Sequence, residues 1–121
     1  MTGPITGGKR GEDTAVRYLL DRGYTIVEKN YRCRMGEIDI VALDGGILVF
    51  VEVKSRTSLK FGPPEAAVDE RKQKKLSKVA LHFLKERKSM DSKARFDVVA
   101  ILFSPEGHQV DHFMNAFDLV E

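Results

Sequence analysis

Ile47-Leu48-Val49-Phe50-Val51-Glu52-Val53-Lys54-Ser55-Arg56 is the stretch whose reading decides the fold. Its apolar start, Ile47 to Val51, is aliphatic and aromatic, the composition of a strand. Side chains alternate across a strand, so Leu48, Phe50, Glu52, Lys54 and Arg56 share one face, and Val49, Val51 and Val53 occupy the other. The first face begins apolar and turns charged towards its C-terminal end. A carboxylate and an ammonium therefore emerge side by side from the edge of a core, at the strand end where α/β sheets gather their functional groups.

Just upstream, Glu37–Leu43 reads as a second strand, and Asp44-Gly45-Gly46 between the two is a hairpin signal. With Gly45-Gly46 as a two-residue loop, Asp44 faces Ile47, Leu43 faces Leu48, Val41 faces Phe50, Asp39 faces Glu52 and Glu37 faces Lys54. An Asp44-Gly45 turn sets Glu37 against Glu52 and keeps Asp39 on the same face, whereas a three-residue loop sends Asp39 to the other face. In the first register two carboxylates lie opposite each other, which destabilises a strand pair unless a cation compensates. Mg²⁺ or Mn²⁺ suits hard oxygens, and Asp39, Glu52 and the Val53 carbonyl supply them. Lys54 is then placed to orient an attacking water or to stabilise charge building on phosphorus. The plain alternative for a lone Glu-x-Lys is a solvated ion pair of little worth. The second acid, the apolar strand and the register together weigh against it.

Further out, Lys9–Arg22 has helical spacing through Ala15, Val16, Leu19 and Leu20, with Gly23 as a stop. Glu12 precedes Ala15, Val16 and Leu19 by helical intervals, so it lies on the core-facing stripe at the helix N-terminal end. An acid there complements the helix dipole or reaches the Asp39–Glu52 spot. Tyr24–Asn30 reads as a strand and Tyr31–Gly36 as a basic turn. Arg56–Pro64 is a loop, Glu65–Lys88 a long helix with the stripe Leu76, Val79, Ala80, Phe83 and Leu84, and Arg95–Phe103 and Gln109–Met114 two further strands. The strands on either side of the long helix are a natural parallel crossover pair. The fold class expected is α/β: a mixed five-stranded sheet flanked by helices. Residues 1–8 read as a flexible N-terminus and residues 9–121 as one domain.

Composition bounds the function. A chain of 121 residues builds one core, and 42% hydrophobic with 31% charged residues excludes bulk disorder. A formal net charge of +2 excludes a polycation, so any nucleic-acid contact relies on arranged rather than abundant charge. Arg71, Lys72, Lys74, Lys75 and Lys78 fall within eight residues of the long helix without an acid among them. They form either a solvated face or a phosphate-tracking patch. Arg56 extends the catalytic face, and Arg32 and Arg34 precede the Asp39 strand; all three are candidates for phosphates. Nothing resembles a reader of base edges, so backbone or shape recognition is expected. The single cysteine, Cys33, excludes an internal disulfide and suits a reducing cytosol as a packing residue. No secretory h-region or membrane-length apolar run is present, and a cytoplasmic protein is expected. His82, His108 and His112 lack metal-ligand company, and Asp97 in its buried-looking strand reads as a structural cap or ion pair, with membership of the site as the alternative.

An acid on the first helix, then Asp39, then Glu52-Val53-Lys54 resembles the PD-(D/E)XK nuclease superfamily. Gly36-Glu37-Ile38-Asp39-Ile40-Val41-Ala42, Val49-Phe50-Val51-Glu52-Val53-Lys54-Ser55-Arg56 and Arg95-Phe96-Asp97-Val98-Val99 resemble, more specifically, the small bacterial YraN-like family of predicted restriction-endonuclease-like proteins. The similarity runs from Gly8 to Phe117, with Ile38 where the superfamily name has proline. The arrangement is also similar to archaeal Holliday junction resolvases, which cut branched DNA as metal-dependent homodimers. The resemblance implies a restriction-endonuclease-like core, a Mg²⁺ or Mn²⁺ cofactor, and catalytic roles for Glu12, Asp39, Glu52 and Lys54. It implies DNA as partner, branched or single-stranded, and a homodimer. The alternative reading is a non-catalytic nuclease-fold module that binds DNA or a DNA-processing protein.

Overall fold

The computed structural model describes residues 7–57 and 68–118. The order is α1 (Gly7–Asp21), β1 (Thr25–Cys33), β2 (Gly36–Asp44), β3 (Ile47–Arg56), α2 (Glu70–Glu86), β4 (Lys93–Ser104) and β5 (Gly107–Phe117). The strands form one five-stranded sheet in chain order, with β3 and β4 parallel and every other neighbour antiparallel. This is the mixed α/β sheet with flanking helices that the strand and helix pattern predicts.

The two helices cover opposite faces of the sheet. Val41, Leu48, Phe50, Phe96 and Val98 pack with Leu76, Val79, Ala80, Phe83 and Leu84 of α2. Their neighbours Ala42, Val49, Val51, Val99 and Ile101 pack with Ala15 and Leu19 of α1. Central strands buried on both sides carry continuous apolar runs rather than alternating ones. Ile40, Val41 and Ala42 are accordingly all buried in β2, as are Phe96 to Ile101 in β4.

The β2–β3 hairpin adopts the Gly45-Gly46 register, with Asp44 opposite Ile47, Leu43 opposite Leu48 and Val41 opposite Phe50. Gly45 takes φ 62°, which a residue without Cβ adopts freely. The ladder then stops at Ile40–Val51. The pairs expected beyond it, Asp39 with Glu52 and Glu37 with Lys54, do not form as ladder partners. β2 instead stays with β1 through Ile38–Tyr31 and Glu37–Arg32, while β3 stays with β4 through Arg56–Leu102. The sheet therefore splits between β2 and β3 at the C-terminal end of β3.

A second irregularity sits beside the split. Ile38 joins the α2-side core and Ile40 the α1-side core, although two residues apart normally means one face. Asn30 of β1, between the partners of Ile38 and Ile40, has φ 53°, a conformation Asn tolerates better than most. That twist lets β1 continue to Cys33 where the basic segment Tyr31–Gly36 reads as a turn; only Arg34 and Met35 make the reversal.

Helix α2 starts at Glu70, not Glu65. Asp69 is its N-cap, extended at φ −77° and ψ 177°, with its side chain accepting the Lys72 N–H. Helix α1 starts at Gly7, two residues before the predicted Lys9. The rest of the expected flexible N-terminus, residues 1–6, and the Gly62-Pro63-Pro64 loop lie outside the described residues. Among the described residues no helix is long and apolar enough to cross a membrane.

Candidate active site

Where β2 and β3 part, a cleft of about 350 Å³ opens, lined by Glu12, Asp39, Glu52, Val53, Lys54, Ser55 and Lys72. Both helical layers contribute, Glu12 from α1 and Lys72 from α2. The four residues predicted as catalytic, Glu12, Asp39, Glu52 and Lys54, all line it.

Glycine brings Glu12 there. A Cβ on Gly11 would lie 1.9 Å from Ser55 Oγ and 3.1 Å from Ser55 Cβ. Only a residue without a side chain lets the first turns of α1 approach β3 this closely. Ala15 and Leu19 are fully buried and Val16 and Glu12 half-buried, as the stripe predicts, whereas Leu20 is 49% exposed and lies outside it.

Asp39 is fixed by the backbone of the strand it has left. Its Oδ2 accepts the Val53 N–H at 2.8 Å. Burial, and then the neighbouring Glu52 carboxylate, push the Asp39 carboxyl up to about 7. Glu12 adds to the same repulsion. Glu52 is only 8% exposed. Its Oε2 meets Lys72 Nζ at 2.6 Å and Lys54 Nζ at 3.5 Å. Burial, with the adjacent Lys72, lowers the Lys54 amine below its ordinary value. Burial works against charge on Lys72 too, but the Glu52 carboxylate outweighs it and holds that ammonium above its usual range.

Among the described residues no three His, Cys, Asp or Glu side chains form a ready-made metal cage. What the cleft offers is a crowded pair of carboxylates, Glu52 buried and Asp39 half-buried, beside the Val53 backbone. Mg²⁺ keeps several waters and is commonly bound through one or two carboxylates, so this donor set fits it. A dication would also relieve the repulsion that raises Asp39.

The basic candidates separate into distinct places. Lys72 lies in the cleft rather than with the outer bases of α2. Arg71, Lys74, Lys75 and Lys78 are exposed on α2, Lys74 within 3.8 Å of Glu70. Arg56 is half-buried at the end of β3 and Arg34 is exposed at the β1–β2 turn. Arg32 is paired with Glu37, its cross-strand neighbour. Lys72 carries no sequence signal that separates it from its basic neighbours, and neither Ser55 nor Gly11 stands out in the chain.

Asp97 stays outside the cleft. It is fully buried and accepts from Arg95 Nε at 2.9 Å, His112 Nε2 at 2.7 Å and the Asn115 N–H at 2.9 Å. Arg95 also reaches Tyr24 and Asp44. Burial alone would raise the Asp97 carboxyl, but its hydrogen bonds from His112, Arg95 and Asn115 bring it below the ordinary carboxylate value. The structural role expected for Asp97 is thus the one it has. His82 shares a hydrogen bond with Tyr31, His108 packs edge-on to Phe103, and Cys33 packs against the α2-side core.

A UPF0102 protein of Geobacter metallireducens is 53% identical over 112 residues, covering 93% of this chain and 92% of its own. One from Syntrophus aciditrophicus is 50% identical over 119 residues, covering 98% and 94%. Among solved structures, Pyrococcus furiosus SfsA in complex with Ca²⁺ aligns with a TM-score of 0.43 and 12% identity, over 88% of this chain and 63% of that one. The model of the uncharacterised protein family UPF0102 matches residues 11–101, which span α1 through most of β4 and include all four predicted catalytic residues. The chain belongs to the UPF0102 family, the YraN-like family that its three motifs resemble.

Proposed function

We propose that this protein is a Mg²⁺- or Mn²⁺-dependent phosphodiesterase of the PD-(D/E)XK type that cuts DNA, with branched or single-stranded forms as substrates. The observation that carries the reading is the pairing of half-buried Asp39 with buried Glu52 at a split in the sheet, with Lys54 beside them. A structural domain gains nothing from crowding two acids until one resists ionisation. Even with Lys72 and Lys54 beside Glu52, burial and the neighbouring carboxylate push Asp39 up, and such perturbed groups in a cleft mark functional sites.

Asp39 and Glu52, with the Val53 carbonyl, would hold the metal. When bound, the metal supplies Lewis-acid polarisation of a phosphate oxygen and lowers the pKa of bound water. Asp39 is held for this by its hydrogen bond from Val53 N–H, which leaves little rotational freedom at the ligand. Lys54, its amine below its ordinary pKa, hydrogen-bonds and orients the attacking water. Glu12, anchored by the close approach at Gly11, supports the acid pair from the α1 side. Arg56 and the exposed bases of α2 take the flanking phosphates, and a homodimer or a DNA-processing partner would supply selectivity that so small a domain lacks.

The test is nicking of branched, flapped and single-stranded DNA by purified protein with Mn²⁺. Activity is expected in the native chain and is lost on Glu52→Gln or Lys54→Ala. Cleavage that persists in both variants belongs to a contaminant and removes the reading.

A further inference from the structure

Lys72 stands closer to Glu52 than Lys54 does, although Lys54 is two residues away on the same strand. The distances to Glu52 Oε2 are 2.6 and 3.5 Å. Lys72 comes from another layer of the fold, the first turn of α2. Its backbone is pinned there, because Asp69 Oδ1 accepts the Lys72 N–H at 2.9 Å. Its side chain is 36% exposed, against 10% for that of Glu52, so the ammonium reaches the carboxylate from a partly solvated position.

A cation therefore already sits against one oxygen of the carboxylate that the nuclease reading gives to a metal. Mg²⁺ binds oxygen at about 2.0–2.1 Å, and an ammonium 2.6 Å from that oxygen would be repelled by it. The two cannot comfortably share the site. A lysine has a flexible stem and is a good phosphate binder as a point charge. Released from Glu52 and tethered at a fixed helix position, the ammonium remains at the cleft mouth.

Resting on that nuclease reading, we infer that Lys72 is a displaceable placeholder. It neutralises Glu52 while the metal is absent, gives up the oxygen when a divalent cation binds, and then contacts a phosphate of the DNA. Lys72 is thus a positioning residue for the metal ligand before loading and a substrate-binding residue after it. The acid pair stays compensated in both states, which answers how so crowded a site folds before metal arrives.

The experiment measures binding rather than turnover. Mn²⁺ titrations by calorimetry compare the metal-stripped native chain, Lys72→Met and Lys72→Arg. Loss of the competing cation in Lys72→Met is expected to tighten Mn²⁺ binding about tenfold, while Lys72→Arg stays near native. DNA affinity is then measured in saturating Ca²⁺, where Lys72→Met is expected to bind several-fold more weakly. Opposite changes for metal and DNA in one variant are the signature. Equal or weaker Mn²⁺ binding by Lys72→Met, with the native chain binding normally, overturns the placeholder and leaves the metal site standing. Unchanged DNA affinity overturns the transfer to phosphate. No Mn²⁺ bound by any of the three chains removes both the nuclease reading and this one. Should Lys72→Met fail to fold, Lys72→Gln is carried through the same titrations.

Discussion

Asp39 Oδ2 receives the Val53 N–H at 2.8 Å, so a side chain stands in for the strand partner that β3 loses past Val51. One carboxylate thus satisfies the backbone at the split and faces a second carboxylate there. Asn keeps the acceptor and removes the charge. A carboxyl raised from 3.8 to about 7 binds a proton more tightly in the folded state. Its contribution to stability is present below the unfolded value and is lost as pH rises through about 7. Asp39→Asn is therefore expected to melt higher than the metal-free native protein at pH 8, on the order of 5 °C, with the gap closing towards pH 4. A gap independent of pH would place the repulsion elsewhere.

Metal should reverse that order. Adding Mg²⁺ or Mn²⁺ at pH 8 is expected to raise the Tm of the native chain and leave that of Asp39→Asn unmoved, since ligand binding stabilises only the form that binds it. Equal shifts in the two proteins would mean that the ions act outside this cleft.

Gly11→Ala tests how α1 delivers Glu12. The added methyl would meet Ser55 Oγ at 1.9 Å and Ser55 Cβ at 3.1 Å, so the hydroxyl must turn away and the strand must still give slightly. A loss of about 1–3 kcal/mol is expected from urea unfolding, typical of overpacking. Ser55→Gly removes the obstructing side chain and is expected to restore part of the loss in the double variant. Additive losses would show that the contact is not the cause.

Asp97 predicts an acid limb. Its carboxyl lies below its unfolded value, so its stabilisation is present above that value and is lost as pH falls through the lower folded one. Removing one partner of a buried ion-pair network typically costs about 3–5 kcal/mol, and Asp97→Ala is expected to fall in that range at pH 7. The variant should also show a shallower decline of stability below pH 4 than the native chain. An Asp97→Ala protein as stable as native would mean that Arg95 and His112 re-pair without it.

The outer bases of α2 make a separate prediction. Replacing Arg71, Lys74, Lys75 and Lys78 with Gln is expected to weaken DNA binding and to flatten its salt dependence by about 0.9 in log–log slope per lost phosphate contact. An unchanged slope returns this surface to a merely solvated one.

The hairpin was legible because its cues are local. Gly45-Gly46 and the apolar alternation of β3 offer the register from Asp44–Ile47 to Val41–Phe50 as one of three, and the fold adopts it. Glu12, Asp39, Glu52 and Lys54 followed from that periodicity and from the motif. The split past Ile40–Val51 was not legible, because it depends on β1 holding β2 and β4 holding β3. The α2 start was not legible from the stripe, which begins only at Leu76; Asp69 sets it by accepting the Lys72 N–H with its side chain. Lys72 itself looked like one base among five; only the packing of α2 across the sheet sets it apart.

The strand order β1-β2-β3-β4-β5 repeats the order of synthesis. Asp39 and Glu52 are 13 positions apart and meet through a hairpin, which costs little loop entropy to close. The ammonium on Glu52 comes from the crossover helix, and the parallel pairing of β3 with β4 spans that whole connection. Until that helix packs, Lys54 of the same hairpin is the cation that the two acids bring with them, and Lys72 adds a second charge only when the crossover closes.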